Sequence, residues 1–317
     1  MKALVLGATG FIGQKLVERL LIENLSVTAI TRGGKALNKL DERVKFIVFD
    51  LISSPVSMID FSKYDVVFNC AGEIKDESKM EDLHVNSVRS MLEQLKGTGT
   101  KWVQLSSVGV YGPKHMAHIT ENELFQPHGT YEVTKANAEI IVKDYCILNN
   151  IAFSIVRPSN VFGCEMPNES LRSLIKMVQS GMFFYIGNPR DYRVNYVHVD
   201  NVVESLFLCG QLQSSDREDY IISDNMLLTD FVSLISKFYM KRGRVFTLNK
   251  RLVTLVSQLF RNWSRFPLTK SRISALTSNV TYENDKIILQ LSYKPCIAIE
   301  DGIADFLSKD SGLNLKS

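Results

Sequence analysis

Tyr131 and Lys135 stand four residues apart in the run Tyr131-Glu132-Val133-Thr134-Lys135, a spacing that puts a phenol and an ammonium on one face of a helix. Tyrosine titrates near about 10, too high for acid–base work at neutral pH, and a neighbouring cation favours the phenolate. Ser106-Ser107 closes the apolar run Lys101-Trp102-Val103-Gln104-Leu105, which reads as a strand, so Ser107 offers a hydroxyl at a strand end. The trio predicts hydride chemistry at an alcohol or carbonyl carbon. Tyr131 manages the proton, Lys135 steadies the phenolate and reaches the cofactor ribose, and Ser107 hydrogen-bonds the reacting oxygen. A Tyr-x-x-x-Lys spacing alone is more often packing or surface, so its weight rests on what must position it.

The positioning element is the turn Gly7-Ala8-Thr9-Gly10-Phe11-Ile12-Gly13, between the apolar run Lys2 to Leu6 and the helical pattern Phe11 to Ile22. A glycine turn between strand and helix lets backbone approach a pyrophosphate, which then rests on the free N–H groups of the helix start. The second strand, from Ser26 to Ile30, leads into Thr31-Arg32-Gly33-Gly34-Lys35. A free ribose 2′-hydroxyl usually meets an acidic residue here, about 20 residues past the glycines. Arg32 and Lys35 suit a 2′-phosphate instead, so NADP(H) is preferred and NAD(H) remains the alternative. Strands Val44 to Phe49 and Val66 to Asn69 end in Asp50-Leu51 and Cys70-Ala71-Gly72. Asp50 would accept from the adenine amino group, and the small residues let the chain pass the cofactor. The expected cofactor set is Gly7, Thr9, Gly10, Phe11, Ile12, Gly13, Arg32, Asp50, Leu51, Cys70, Ala71, Gly72, Tyr131, Lys135 and Pro158.

Strands alternate with helices through the first 160 residues or so, which predicts a doubly wound parallel α/β sheet of Rossmann type. The expected organisation is a dinucleotide-binding domain over 1–165, rejoined by 194–222, and a smaller, mostly helical substrate lobe over 166–317. With 317 residues and 45% hydrophobic content the chain supports one large core, and a net charge of +3 points to no nucleic acid. Five scattered cysteines without a CxxC, a strand that begins at Lys2, and no uncharged apolar run of about 20 residues fit a cytoplasmic protein without a transmembrane segment.

The motifs GATGFIG (Gly7–Gly13), Asp50-Leu51, NCAG (Asn69–Gly72), Val85-Asn86, SSVGVYG (Ser106–Gly112), YEVTK (Tyr131–Lys135), RPSNVFG (Arg157–Gly163) and NYVHVDNV (Asn195–Val202) occur in that order. In them the chain resembles the extended short-chain dehydrogenase/reductase superfamily, in its NAD-dependent epimerase/dehydratase branch. The resemblance covers residues 1 to about 202 and implies a nucleotide-diphosphate sugar as substrate. It implies that Ser107, four residues before the tyrosine of VYG, is catalytic, and that Asn160 and Asn168 contact the substrate. It also implies a homodimer through the helices Val85–Lys96 and Tyr131–Tyr145, and a role in surface-polysaccharide precursor synthesis. Two departures stand out. Family dehydratases carry Thr-Asp-Glu where this chain has Ser107-Val108-Gly109, which removes the acid–base pair for eliminating water. Many epimerases carry a phosphate-binding arginine at the position of Val194, where Arg193 would have to substitute from next door.

Other features have bland readings. His115, His118 and Glu121 have loose metal-ligand spacing but read as a substrate-side loop, and no metal site is expected. His198 reads as structural. Lys250, Arg251, Arg261, Arg265, Lys270 and Arg272, among apolar residues, read as a solvated helix face, with a membrane surface or the substrate diphosphate as alternatives. Three functions remain open: an NADPH-dependent reductase of a nucleotide-linked 4-keto sugar, a C4 epimerase that holds NAD, and a non-catalytic dinucleotide sensor.

Overall fold

In the computed structural model, which describes residues 1–32, 41–114, 116–167, 169–240, 245–253 and 270–310, seven parallel strands form the main sheet. They are β1 (Lys2–Leu6), β2 (Ser26–Thr31), β3 (Lys45–Val48), β4 (Val66–Asn69), β5 (Lys101–Leu105), β7 (Phe153–Pro158) and β11 (Glu218–Ile222), in the order β11-β7-β5-β4-β1-β2-β3. Every residue of β4, β5 and β7 is buried, as a strand covered on both faces requires. The order reverses between β1 and β4. That is a topological switch point, where ligands bind beyond the carboxyl ends of the strands.

Helices cover both faces. On one side α1 (Phe11–Ile22) and α5 (Val199–Gln211) bury Leu16, Leu20, Val202 and Leu206 against Val5, Phe68 and Val103. On the other, α2 (Ser87–Leu95) and α3 (Thr130–Leu148) bury Val88, Met91, Leu92 and Val142 against Leu4, Val67 and Trp102. A third apolar cluster joins α4 (Glu169–Gln179), α6 (Leu228–Phe238) and α9 (Ile299–Lys309) around Phe162, Phe231 and Phe306.

Short strands stitch the later part of the chain to the earlier part. β10 (Arg193–His198) lies between β8 (Asn160–Phe162), parallel, and β12 (Asp224–Leu227), antiparallel. The segment from 195 therefore begins in a small separate sheet, and it is β11 that joins the main sheet, parallel to β7. β6 (Met116–Ile119) pairs with β14 (Asn279–Tyr282), and β9 (Phe184–Ile186) with β13 (Phe246–Leu248). The helices α7 (Lys270–Leu276) and α8 (Asp285–Leu291) flank β14. No helix among the described residues is long and apolar enough to cross a membrane.

Candidate active site

A cleft of about 1350 Å³ opens at the switch point. It is roomier than the ~300–1,000 Å³ of a pocket for one small ligand, which suits a dinucleotide and a second molecule together. Its floor is the glycine turn. Gly7 has φ +71°, and a Cβ on Gly13 would stand 2.2 Å from the Gly7 carbonyl oxygen, so the turn closes tightly only with glycine at both places. Gly10 caps α1 with extended backbone, and the first turn of α1 holds no acidic residue. The N–H groups and positive dipole end of a 12-residue helix thus face the cleft at Gly10, Phe11 and Ile12, which fits a pyrophosphate.

The walls bring together Thr9, Gly10, Phe11, Ile12, Cys70, Ala71, Gly72, Ser107, Tyr131, Lys135, Pro158 and Asn160, which lie in five separate stretches of the chain. Arg32, exposed at the end of β2, and Asp50 and Leu51, beyond β3, stand outside those walls on the same carboxyl edge of the sheet. Arg193 also stands outside them, its N–H held by the Ser278 carbonyl at 2.9 Å. Asn160 lines the cleft and donates its amide to the Asn195 carbonyl at 3.0 Å. Asn168, Lys35, His115, Arg261 and Arg265 lie outside the described residues.

Ser107 begins the 3-10 turn Val108–Tyr111, its Oγ accepting the Gly109 N–H at 3.1 Å. The hydroxyl proton is left to donate into the cleft. Tyr131 and Lys135 rise from the first turns of α3. Lys135 Nζ donates to the Leu105 carbonyl at 3.1 Å and lies 5.9 Å from the centre of the Tyr131 ring. The expected lowering of the tyrosine does not appear in this protein alone. Burial, and then the nearby Glu132 carboxylate, push the Tyr131 phenol up to about 12. Burial brings Lys135 down to about 8, partly offset by Cys70 and Glu139.

Three features of the site have roles that the motifs do not give. His84, on the π-helical turn Asp82–Asn86, accepts the Glu73 N–H on Nε2 at 2.9 Å, which puts its proton on Nδ1. Nδ1 then donates to Thr134 Oγ1 at 2.8 Å, and Thr134 donates to the Tyr131 carbonyl at 3.1 Å. Burial, helped by Lys135, lowers His84 to about 3, so it remains a neutral brace between the loop after β4 and the helix of Tyr131. Ser106 and Ser159 bury hydroxyls in the cleft wall with no hydrogen-bond partner among the described residues. Glu132 lines the cleft beside Tyr131. Ser106, Glu132 and Ser159 lie inside the motifs SSVGVYG, YEVTK and RPSNVFG, and His84 lies just before Val85-Asn86, but the motifs give none of them a role.

A family model described as "NAD dependent epimerase/dehydratase family" matches residues 3–223. The chain belongs to that family. It is an NAD(P)-dependent enzyme of the extended short-chain dehydrogenase/reductase type. A UDP-glucose 4-epimerase from Mycolicibacterium smegmatis is 25% identical over 230 residues, 66% of this chain and 73% of that one. A 4-hydroxy-2-methyl-3-oxo-4-farnesyl-3,4-dihydroquinoline-1-oxide ketoreductase from Stigmatella aurantiaca is 22% identical over 322 residues, 96% of this chain and 95% of that one. Among solved structures, UDP-glucuronic acid 4-epimerase from Bacillus cereus, in complex with UDP-glucuronic acid and NAD, superposes with a TM-score of 0.75 at 21% identity. That match covers 97% of this chain and 98% of the other, and it shows the shared fold.

In this family member the features outside the cleft have their own partners. His118 is exposed and bonded to Thr281 Oγ1 at 2.7 Å, while Glu121 accepts the Ile221 N–H at 2.9 Å. His198 is buried and caps α5, accepting the Asp200 N–H at 3.3 Å. Lys250 Nζ lies 5.9 Å from the centre of the Tyr192 ring.

A catalytic role for Lys135 predicts a pH limit. A buried ammonium brought down to about 8 is charged below that pH and neutral above it. In the free enzyme kcat/KM is expected to be flat through neutral pH and to fall tenfold per unit above about 8, while the Tyr131 phenol, titrating near 12, stays protonated. A pH–rate series from 6 to 10 checks this, and a flat alkaline limb would remove Lys135 as the titrating group.

Proposed function

We propose that this protein reduces the 4-keto group of a nucleotide-diphosphate sugar, with NADPH as the preferred hydride source and Tyr131 as proton donor. The carrying observation is that one cleft brings the Ser107 hydroxyl, Tyr131 and Lys135 to the helix start of the glycine turn. Burial and Glu132 raise the Tyr131 phenol to about 12, which is in keeping with a proton donor. In this reading Tyr131 Oη passes its proton to the carbonyl oxygen as that oxygen becomes an alkoxide. The Ser107 hydroxyl donates to the same oxygen, and the Lys135 charge stabilises the negative charge left on the phenolate. When bound, the dihydronicotinamide supplies the hydride. Arg32, at the end of β2, is the reader of the 2′-phosphate.

The nearly end-to-end match to a ketoreductase supports reduction, and the relatives named for UDP-glucose and UDP-glucuronic acid support a sugar nucleotide. Asn160, Asn168 and Arg193 are its proposed contacts. The reading includes a cytoplasmic location and a homodimer through α2 and α3. A C4 epimerase holding NAD is the second reading, favoured by the neighbour that carries NAD together with a sugar nucleotide.

The test is cofactor consumption on a panel of nucleotide-linked 4-keto sugars, with NADPH and NADH supplied separately. The expected result is loss of NADPH equal to the keto sugar consumed. If both cofactors stay untouched while UDP-glucose equilibrates with its C4 epimer, the reductase reading falls and the epimerase replaces it.

A further inference from the structure

Glu132 follows Tyr131 on the first turn of α3 and lines the cleft. Two glycines make room for it. A Cβ on Gly109 would stand 2.9 Å from Glu132 Cγ, and one on Gly129 would stand 2.3 Å from Glu132 Oε2. Neither glycine has the positive φ that would demand glycine on its own account. The point beside Gly109 is also 3.4 Å from Ser107 Oγ, so the Glu132 stem and the Ser107 hydroxyl face each other across Gly109. No hydrogen bond or ion pair engages the Glu132 carboxylate among the described residues. The dipole of α3 favours a carboxylate on this turn, but that needs only proximity, and it explains neither the two cleared positions nor the cleft-facing wall.

A carboxylate only accepts hydrogen bonds, so its partner in the cleft must be a donor. Since Tyr131 and Ser107 take the reacting oxygen, the donors belong to the carbons beside it. We propose that Glu132 is a specificity residue, whose carboxylate accepts hydrogen bonds from hydroxyls of the substrate's sugar ring next to the reacting carbon. This rests on the nucleotide-sugar reading above. It gives Glu132 two effects at one place: it reads the sugar, and its charge helps to keep the Tyr131 proton in position for donation.

The test is calorimetric titration of UDP-glucose, and separately of UDP, into the NADP-loaded full chain as wild type, Glu132→Gln and Glu132→Ala. UDP has no sugar and reports the integrity of the rest of the pocket. UDP-glucose is expected to bind Glu132→Ala about tenfold or more weaker than wild type, because hydrogen bonds to a charged group are lost. Glu132→Gln, which keeps one accepting oxygen, should fall between the two, and UDP should bind all three alike. Equal UDP-glucose affinities in wild type and Glu132→Ala overturn the assignment while leaving the nucleotide-sugar reading in place. A parallel loss for UDP also overturns it, since the effect is then general damage to the pocket. A wild type that binds neither probe overturns both.

Discussion

Tyr131→Phe is expected to lower turnover about 10³-fold while the dinucleotide dissociation constant stays within about twofold of wild type. Loss of one oxygen can be so selective because the Tyr131 hydroxyl has no partner among the described residues, so its removal leaves nothing unsatisfied. The ring keeps its edge-on packing against His84, with centres 5.7 Å apart, and the backbone carbonyl keeps its bond from Thr134. Thermal midpoint, cofactor titration and cofactor-consumption rate, measured on the same preparation, separate the effects. A variant that turns over within tenfold of wild type would show that the proton comes from elsewhere, and the mechanism above would fail. A non-catalytic sensor predicts no measurable turnover in either protein.

The largest effect on stability is expected at Arg157, in the RPSNVFG motif. Its side chain is fully buried in β7 and is held on every side. Nε and Nη2 donate to Glu139, itself fully buried, at 3.0 and 2.6 Å, Nη1 donates to Tyr111 Oη at 2.7 Å, and Nη2 also pairs with Asp219. Burial alone would raise Asp219, but Arg157, with Lys143 and Lys286, outweighs it and holds that carboxyl well below the usual range. Arg157→Met leaves the Glu139 charge buried without its partner, at a cost of about 3–5 kcal/mol in a urea melt at pH 7. Arg157→Met combined with Glu139→Leu should recover most of the loss, because the uncompensated charge is gone. A single variant as stable as wild type would show that water reaches Glu139.

The sign of the pH dependence follows from Asp219. Its folded pKa lies below its unfolded one, so its contribution is complete above the ordinary carboxylate range and is lost progressively as pH falls from that range down through the depressed folded pKa. The network also reaches the cleft. Tyr111 ends the turn that Ser107 begins, so Arg157→Met should slow turnover under conditions where the variant is still folded.

Much of this protein is legible in its amino-acid order. The turn at Gly7–Gly13, the strand ending at Leu105 and the helix carrying Tyr131 and Lys135 are set by local rules: which backbone a glycine permits, how apolar residues repeat, and which side chains share a helical face. Those rules also point to a parallel sheet with helices on both faces, whereas the order of its seven strands and the late entry of β11 beside β7 belong to the folded chain. What they do not reach is contact between distant segments. The pairing of β6 with β14, the brace from Glu73 through His84 to Thr134, and the clearing of Gly109 and Gly129 for Glu132 each join elements brought close only by packing. Charge behaves the same way. By sequence alone Lys135 is a cation that lowers its neighbouring tyrosine. In the folded chain its ammonium is buried on the Leu105 carbonyl and the tyrosine is raised. The type and spacing of the residues determined that a phenol, an ammonium and a hydroxyl would meet a dinucleotide turn. Only the tertiary structure decided how firmly each holds its proton, because desolvation and the approach of Glu132 exist only once the cleft has formed.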